Sequence, residues 1–196
     1  RLKNDENIYK LQELLSSLFD EILIVLYIRQ PIETAVSLFS TAIKGGRHTQ
    51  IGLNVKTFSS NLNNLKIIKN WEKIFSKNNM SIKLFDRNEF IEGDLIKDFC
   101  SECNIEISSQ FIYPRIINQT LNLDQMRFLK YLNKYIPLFV DKKINKKRRN
   151  LTKFIIKNFK SSIYFMPTKE EYELFEKHFA NDNDYIKKEY FPSKIK

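Results

Sequence analysis

At 196 residues the chain is long enough for one domain with a sizeable core and too short for two full-sized ones, so residues 1 to 196 are expected to form a single domain. A hydrophobic content of 42%, with 16 Phe and 9 Tyr against only 4 Gly and 5 Pro, excludes collagen-like and largely disordered classes. The net charge of +10 is concentrated in residues 141 to 160, which hold nine Lys or Arg and one Asp; an abundance of Ile, Asn and Lys also follows from an AT-rich coding composition, which weakens the charge as a sign of nucleic acid.

The opening stretch RLKNDENIYK lacks an apolar run beside a positive start and does not read as a signal peptide. Ile8, Leu11, Leu14, Leu15, Leu18 and Phe19 recur every three or four residues and predict an amphipathic helix over 8 to 19. The run ILIVLYI over 22 to 28, apolar on both faces and rich in β-branched residues, predicts a fully buried parallel strand. It is also the longest apolar run, far below the roughly 20 residues of a bilayer span, so no integral membrane span is expected. After Arg29, Pro31 suits the first turn of a helix whose apolar stripe is Ile32, Ala35, Val36, Phe39 and Ile43, and Gly45 and Gly46 supply the stop.

Residues 47 to 60 read as an ordered polar loop, and 62 to 76 as a helix burying Leu65, Ile68, Trp71 and either Phe75 or Ile74. The short strand SIKLF (81 to 85) and a helix over 94 to 103 continue an α/β alternation. The last third changes character: 123 to 135, 153 to 159, 170 to 180 and 184 to 190 read as helices covering the sheet, with the basic stretch 141 to 150 as a solvated connector.

Chemistry-bearing motifs are few. Cys100 and Cys103 form a lone CSEC that closes a helix instead of opening one, and neither His48 nor His178 has ligand spacing, so both thiols read as packing residues and no metal is expected. Two cysteines fit a reducing, cytoplasmic compartment. The stretch DKKINKKRRN has no aromatic residue among its lysines, which argues against the stacking platform of a single-strand binder; no nucleic-acid partner is expected.

The strand-turn-helix is more specific. Arg29 closes a strand at the carboxyl edge, where ligands dock on open α/β sheets, and a guanidinium there can grip a phosphate through two parallel hydrogen bonds. Ser37 falls eight residues on, on the polar helix face with Glu33, Thr41 and Lys44; the rise from Pro31 to Ser37 is about 9 Å, within reach of a long Arg side chain leaning back over the helix. Pairing of Arg29 with a carboxylate such as Glu33 is an equally good reading of the residues alone.

The segment YIRQPIETAVSLFSTAIKGG resembles the part of sulfotransferases that binds the 3′-phosphate of 3′-phosphoadenosine 5′-phosphosulfate (PAPS): a hydrophobic strand, an Arg, a nearby Pro, and Ser eight residues after the Arg. NWEKIF, SIKLFDRNEFIEGDLIKDFCSECNI, PRIINQTLNLDQMRFLKYLN and FEKHFANDNDYIKKEYF are similar, in the same order, to stretches of the bacterial carbohydrate branch of that family. The resemblance implies an α/β, P-loop-type sulfotransferase fold, a parallel sheet flanked by helices with a helical C-terminal third. It implies PAPS as co-substrate, a carbohydrate or small-molecule acceptor, and Arg29 and Ser37 as 3′-phosphate ligands with Arg115 as a further anion contact. The chain departs from the family in one respect: the 28 residues before Arg29 contain no Gly- and Lys-bearing loop to hold the 5′-phosphosulfate. A non-catalytic 3′-phosphonucleotide-binding or interaction domain and a basic nucleic-acid-binding module are the rival readings.

Overall fold

A computed structural model describes residues 4–47, 52–113 and 120–194. In chain order the elements are α1 (Asp5–Ser16), β1 (Ile24–Ile28), α2 (Pro31–Lys44), α3 (Val55–Leu62), α4 (Asn64–Phe75), β2 (Met80–Leu84) and α5 (Leu95–Glu102), then α6 (Leu123–Tyr135), β3 (Phe139–Val140), β4 (Lys143–Ile144), α7 (Lys146–Asn158) and α8 (Lys169–Tyr190). They group into two compact units. The first comprises Arg1–Pro31, Asn61–Tyr113 and His178–Lys196, and the second Ile32–Ser60 and Pro114–Lys177.

The first unit is built on a parallel pair. β1 and β2 run in register from Ile24 opposite Met80 to Ile28 opposite Leu84. Because side chains alternate along a strand, Leu26, Ile28, Ile82 and Leu84 share one face, which packs on Ile68 of α4 and on Ile186 and Tyr190 near the end of α8. A polar clasp backs this core: the Tyr190 hydroxyl donates to Glu72 Oε1 at 2.7 Å, Lys69 reaches Glu72 Oε2 at 2.7 Å, and Asn63 Nδ2 donates to Asp182 Oδ2 at 2.8 Å. Burial and the ionised Glu72 push the Tyr190 hydroxyl up to about 12. α1 lies along α4 with Ile8 buried, and Trp71 stacks on Phe75 at 5.6 Å while staying half-buried.

Two expectations are corrected here. β1 is parallel but not fully buried: Ile28 alone is buried and the other four residues are half-buried. The reason is that, among the described residues, β1 pairs with one strand only, and the second face of the pair carries Tyr27, Ser81 and Lys83 beside Val25. Of the C-terminal helices expected to cover the sheet, the end of α8 belongs to the unit that holds it, while α6 and α7 belong to the second unit and pack on each other. The chain is thus mixed α/β and mostly helical, with a small parallel sheet.

In the second unit, α2 buries Ile32, Ala35, Phe39 and Ile43 as its spacing requires. It stops at Gly46, whose φ of +93° suits glycine and where a Cβ would meet the Leu138 Cβ at 2.9 Å. α6 opens with a capping box in which Asn122 and Gln125 satisfy each other's backbone N–H. The same two side chains donate to the Phe159 carbonyl at the end of α7, at 2.9 and 2.8 Å. α8 starts at a Thr168–Glu171 box, and Glu171 also accepts the Leu53 N–H at 2.5 Å.

Three further boundaries differ from expectation. The predicted loop 47 to 60 contains most of α3, with residues 48 to 51 outside the described part. The two C-terminal helical stretches form one helix, α8, in which the weak formers Asn181 to Asp184 are carried through by tertiary contacts on either side, Phe179 and Ile186 being buried. The supposed connector 141 to 150 is a hairpin turn, a strand and the first turns of α7. Asp141 and Lys142 both have positive φ, the backbone that a two-residue hairpin turn requires, and the Asn145 side chain caps α7 by accepting from the Arg148 N–H at 3.2 Å. No described helix is long and apolar enough to cross a membrane.

Candidate functional site

Arg29 follows β1 directly, at the carboxyl edge of the parallel pair. The Phe85 N–H donates to the Ile28 carbonyl at 2.7 Å, extending the ladder by one step and bringing Phe85 beside Arg29. The guanidinium carbon lies 5.6 Å from the Phe85 ring centroid, and Asn64 Nδ2 holds the Arg29 carbonyl at 2.9 Å. Phe85 is fixed in turn by edge-on contacts with Tyr27 and Phe90, centroids 6.5 and 5.5 Å away. A guanidinium against a ring uses its face, whereas bidentate recognition of a phosphate uses its edge, so the two contacts are chemically compatible.

Ser37 lies on α2 within the second unit and is half-buried. Arg115 and His48 fall outside the described residues. His178 is exposed on α8, its ring edge-on to Phe179. Cys100 is buried on α5 and Cys103 half-buried at its end, both as unbridged thiols; among the described residues no three His, Cys, Asp or Glu side chains converge as a metal site would require.

Behind the edge lies a charge network that the sequence reading missed. Tyr27 and Lys83 are register partners on the second face of the sheet, and α5 presents Asp98 and Glu102, one turn apart, to that face. The Tyr27 hydroxyl donates to Asp98 Oδ2 at 2.6 Å; Lys83 reaches Asp98 at 2.9 Å and Glu102 at 3.2 Å. Asp98 is 2% exposed. Burial favours its neutral form, but the hydrogen bonds from Tyr27 and Lys83 outweigh burial and hold the carboxyl below its ordinary range. Burial, reinforced by Asp98, raises the Tyr27 phenol. Burial lowers Lys83, yet its bonds to Asp98 and Glu102 leave it raised. Each group therefore rests in its ordinary form, a neutral phenol, a carboxylate and an ammonium, and their bonds tie α5 to the sheet. The signal for it was the Ser81–Lys83 alternation in β2, which no fully buried strand would carry.

Arg148 is the second missed residue. It is 1% exposed, donates to Asn133 Oδ1 and Thr152 Oγ1, and its Nε–H has no partner. Asn133 in turn donates to the Ile43 and Arg47 carbonyls, both at 2.8 Å. The buried charge is thus relayed to the carbonyl end of α2, where the helix dipole favours a cation.

A cavity of about 530 Å³ opens at the opposite, amino end of the sheet, lined in part by Asp20, Glu21, Glu102 and Cys103. Its three carboxyl groups repel an anionic nucleotide, whereas the carboxyl edge of the sheet offers a guanidinium beside the Phe85 ring. No family profile, curated protein or solved structure matches this chain.

Proposed function

We propose that the chain is a PAPS-using sulfotransferase domain that moves a sulfuryl group to a hydroxyl or amine of a carbohydrate-type acceptor. One observation carries the reading: a parallel strand ends just before Arg29, a helix begins two residues after it, and the guanidinium lies by the Phe85 ring at the carboxyl edge. The sequence resemblance, spread over five segments in order, supports the same conclusion.

In such a transfer the acceptor oxygen or nitrogen attacks sulfur, the bond from sulfur to the bridging oxygen of the 5′-phosphate breaks, and the acceptor proton passes to a base. The products are the sulfated acceptor and 3′-phosphoadenosine 5′-phosphate. Arg29 and Ser37 bind the 3′-phosphate and Arg115 adds positive charge; their contribution is to position the donor, not to move the proton.

A charge-assisted hydrogen bond is worth about 1.5 to 3 kcal/mol. Arg29→Ala should therefore weaken 3′-phosphoadenosine 5′-phosphate by about tenfold to a hundredfold in calorimetry, Ser37→Ala by less. Adenosine 5′-phosphate, without the 3′-phosphate, should bind wild type and both variants about equally weakly. A protein with no preference for the 3′-phosphorylated nucleotide, or a preference that survives Arg29→Ala, overturns the reading.

A further inference from the structure

We propose that the β3–β4 hairpin, with the start of α7, is a peripheral docking site for an anionic phospholipid bilayer. The surface lies wholly within the second unit and is independent of the nucleotide reading.

The hairpin carries apolar side chains that are about half exposed among the described residues. Phe139 and Ile144 are register partners across the two-residue ladder and are 55% and 48% exposed; Val140 is 48% exposed. Their backbone is anchored: the Asn145 N–H donates to the Leu138 carbonyl at 2.8 Å and Asn145 Nδ2 to the Pro137 carbonyl at 3.3 Å, so the tip is held out by its base. Lys142 and Lys143 in the hairpin and Lys146, Lys147 and Arg149 at the start of α7 are exposed, and none forms an ion pair within the described residues. On α6, just before the hairpin, exposed Tyr131 and Tyr135 stand 4.8 Å apart with Lys134 over the second ring, and tyrosines of this kind favour the boundary between headgroups and acyl chains.

Charge complementarity selects an anionic partner, and the chemistry of the tip selects lipid. Four of the five exposed cations are lysines, point charges suited to a diffuse anionic surface, whereas reading of individual phosphates favours arginine. Of the two arginines in the stretch, Arg148 is buried and Arg149 alone is exposed. Val140 and Ile144 have no ring on which a base could stack, but they partition into the acyl boundary beside Phe139.

The test is co-sedimentation of the full chain with vesicles of phosphatidylcholine alone and of phosphatidylcholine containing phosphatidylglycerol. Wild type should pellet with the anionic vesicles only and be released by salt. Replacing Lys142, Lys143, Lys146 and Lys147 together by Gln should lower partitioning about a hundredfold or more, and Phe139→Ser with Ile144→Ser about tenfold or more, with far-ultraviolet circular dichroism unchanged. Failure of wild type to bind anionic vesicles at low salt, equal binding to neutral ones, a folded tip variant that partitions like wild type, or tighter binding to a single-stranded oligonucleotide than to anionic vesicles overturns the proposal. The wild-type comparisons decide it even if a variant misfolds.

Discussion

Asp98 shows how one buried carboxylate organises its surroundings. It accepts from Tyr27 and Lys83 at once and also caps the Ile91 N–H, so no partner is replaceable by water at 2% exposure. Asp98→Asn keeps the shape and removes the charge, and should cost about 1.5 to 3 kcal/mol at pH 7 in urea unfolding. The pH dependence follows from the shifts. The carboxyl of Asp98 is lowered in the folded state, so its contribution is present above the ordinary Asp value of about 3.9 and is lost as pH falls through the lower folded value. Lys83 and Tyr27 are raised, so theirs is present below about pH 10 and is lost as pH rises through the higher folded values. Stability of wild type should therefore fall on both sides of a plateau, and Asp98→Asn should flatten the acid limb. An acid limb of unchanged steepness in the variant contradicts this assignment.

At the scale of elements, α7 separates two kinds of cation that are indistinguishable in the text of DKKINKKRRN. Arg148, Thr152 and Ile155 recur at helical spacing and form the buried face, while Lys146, Lys147, Arg149 and Lys153 face solvent. Replacing the exposed lysines 142, 143, 146 and 147 by Gln should change stability by within about 0.5 kcal/mol each. Arg148→Ala should cost about 2 to 4 kcal/mol, because it opens a cavity and strands the Asn133 carbonyl oxygen that the guanidinium satisfies. Arg148→Met, which keeps volume and removes a buried charge lacking a counter-ion, should recover part of that loss. Equal costs for Arg148→Ala and a lysine replacement, measured by chemical denaturation, would refute the division.

For the whole molecule the distribution of charge matters more than its total. Residues 123 to 160 carry twelve Lys and Arg and two Asp, a net of +10 that equals the charge of the entire chain. The described ion pairs lie outside this segment and are largely between exposed groups, worth little each, whereas the repulsion within the segment is uncompensated. Moderate salt, which shortens the Debye length to about 8 Å at physiological strength, should therefore raise the melting temperature relative to very low salt. A fall in melting temperature over that range would show that attractive pairs dominate instead.

Local pattern alone determined the elements whose signals are local. The stripe and glycine stop of α2, the extent of α6, the helix of α5 and the parallel character of β1 all follow from side-chain period and backbone restriction within a few residues. Tertiary structure decided what depends on partners distant in sequence. Whether ILIVLYI is buried depends on Tyr27 meeting Lys83 and Asp98, whether α8 breaks depends on Asn63 meeting Asp182, and whether a basic stretch is a connector depends on Asn133 reaching Arg148. The place of Arg29 between β1 and α2 was legible because the strand end, the charge and the proline lie within four residues. The network behind it was not, because a carboxylate's partners across 71 residues leave no periodicity to read.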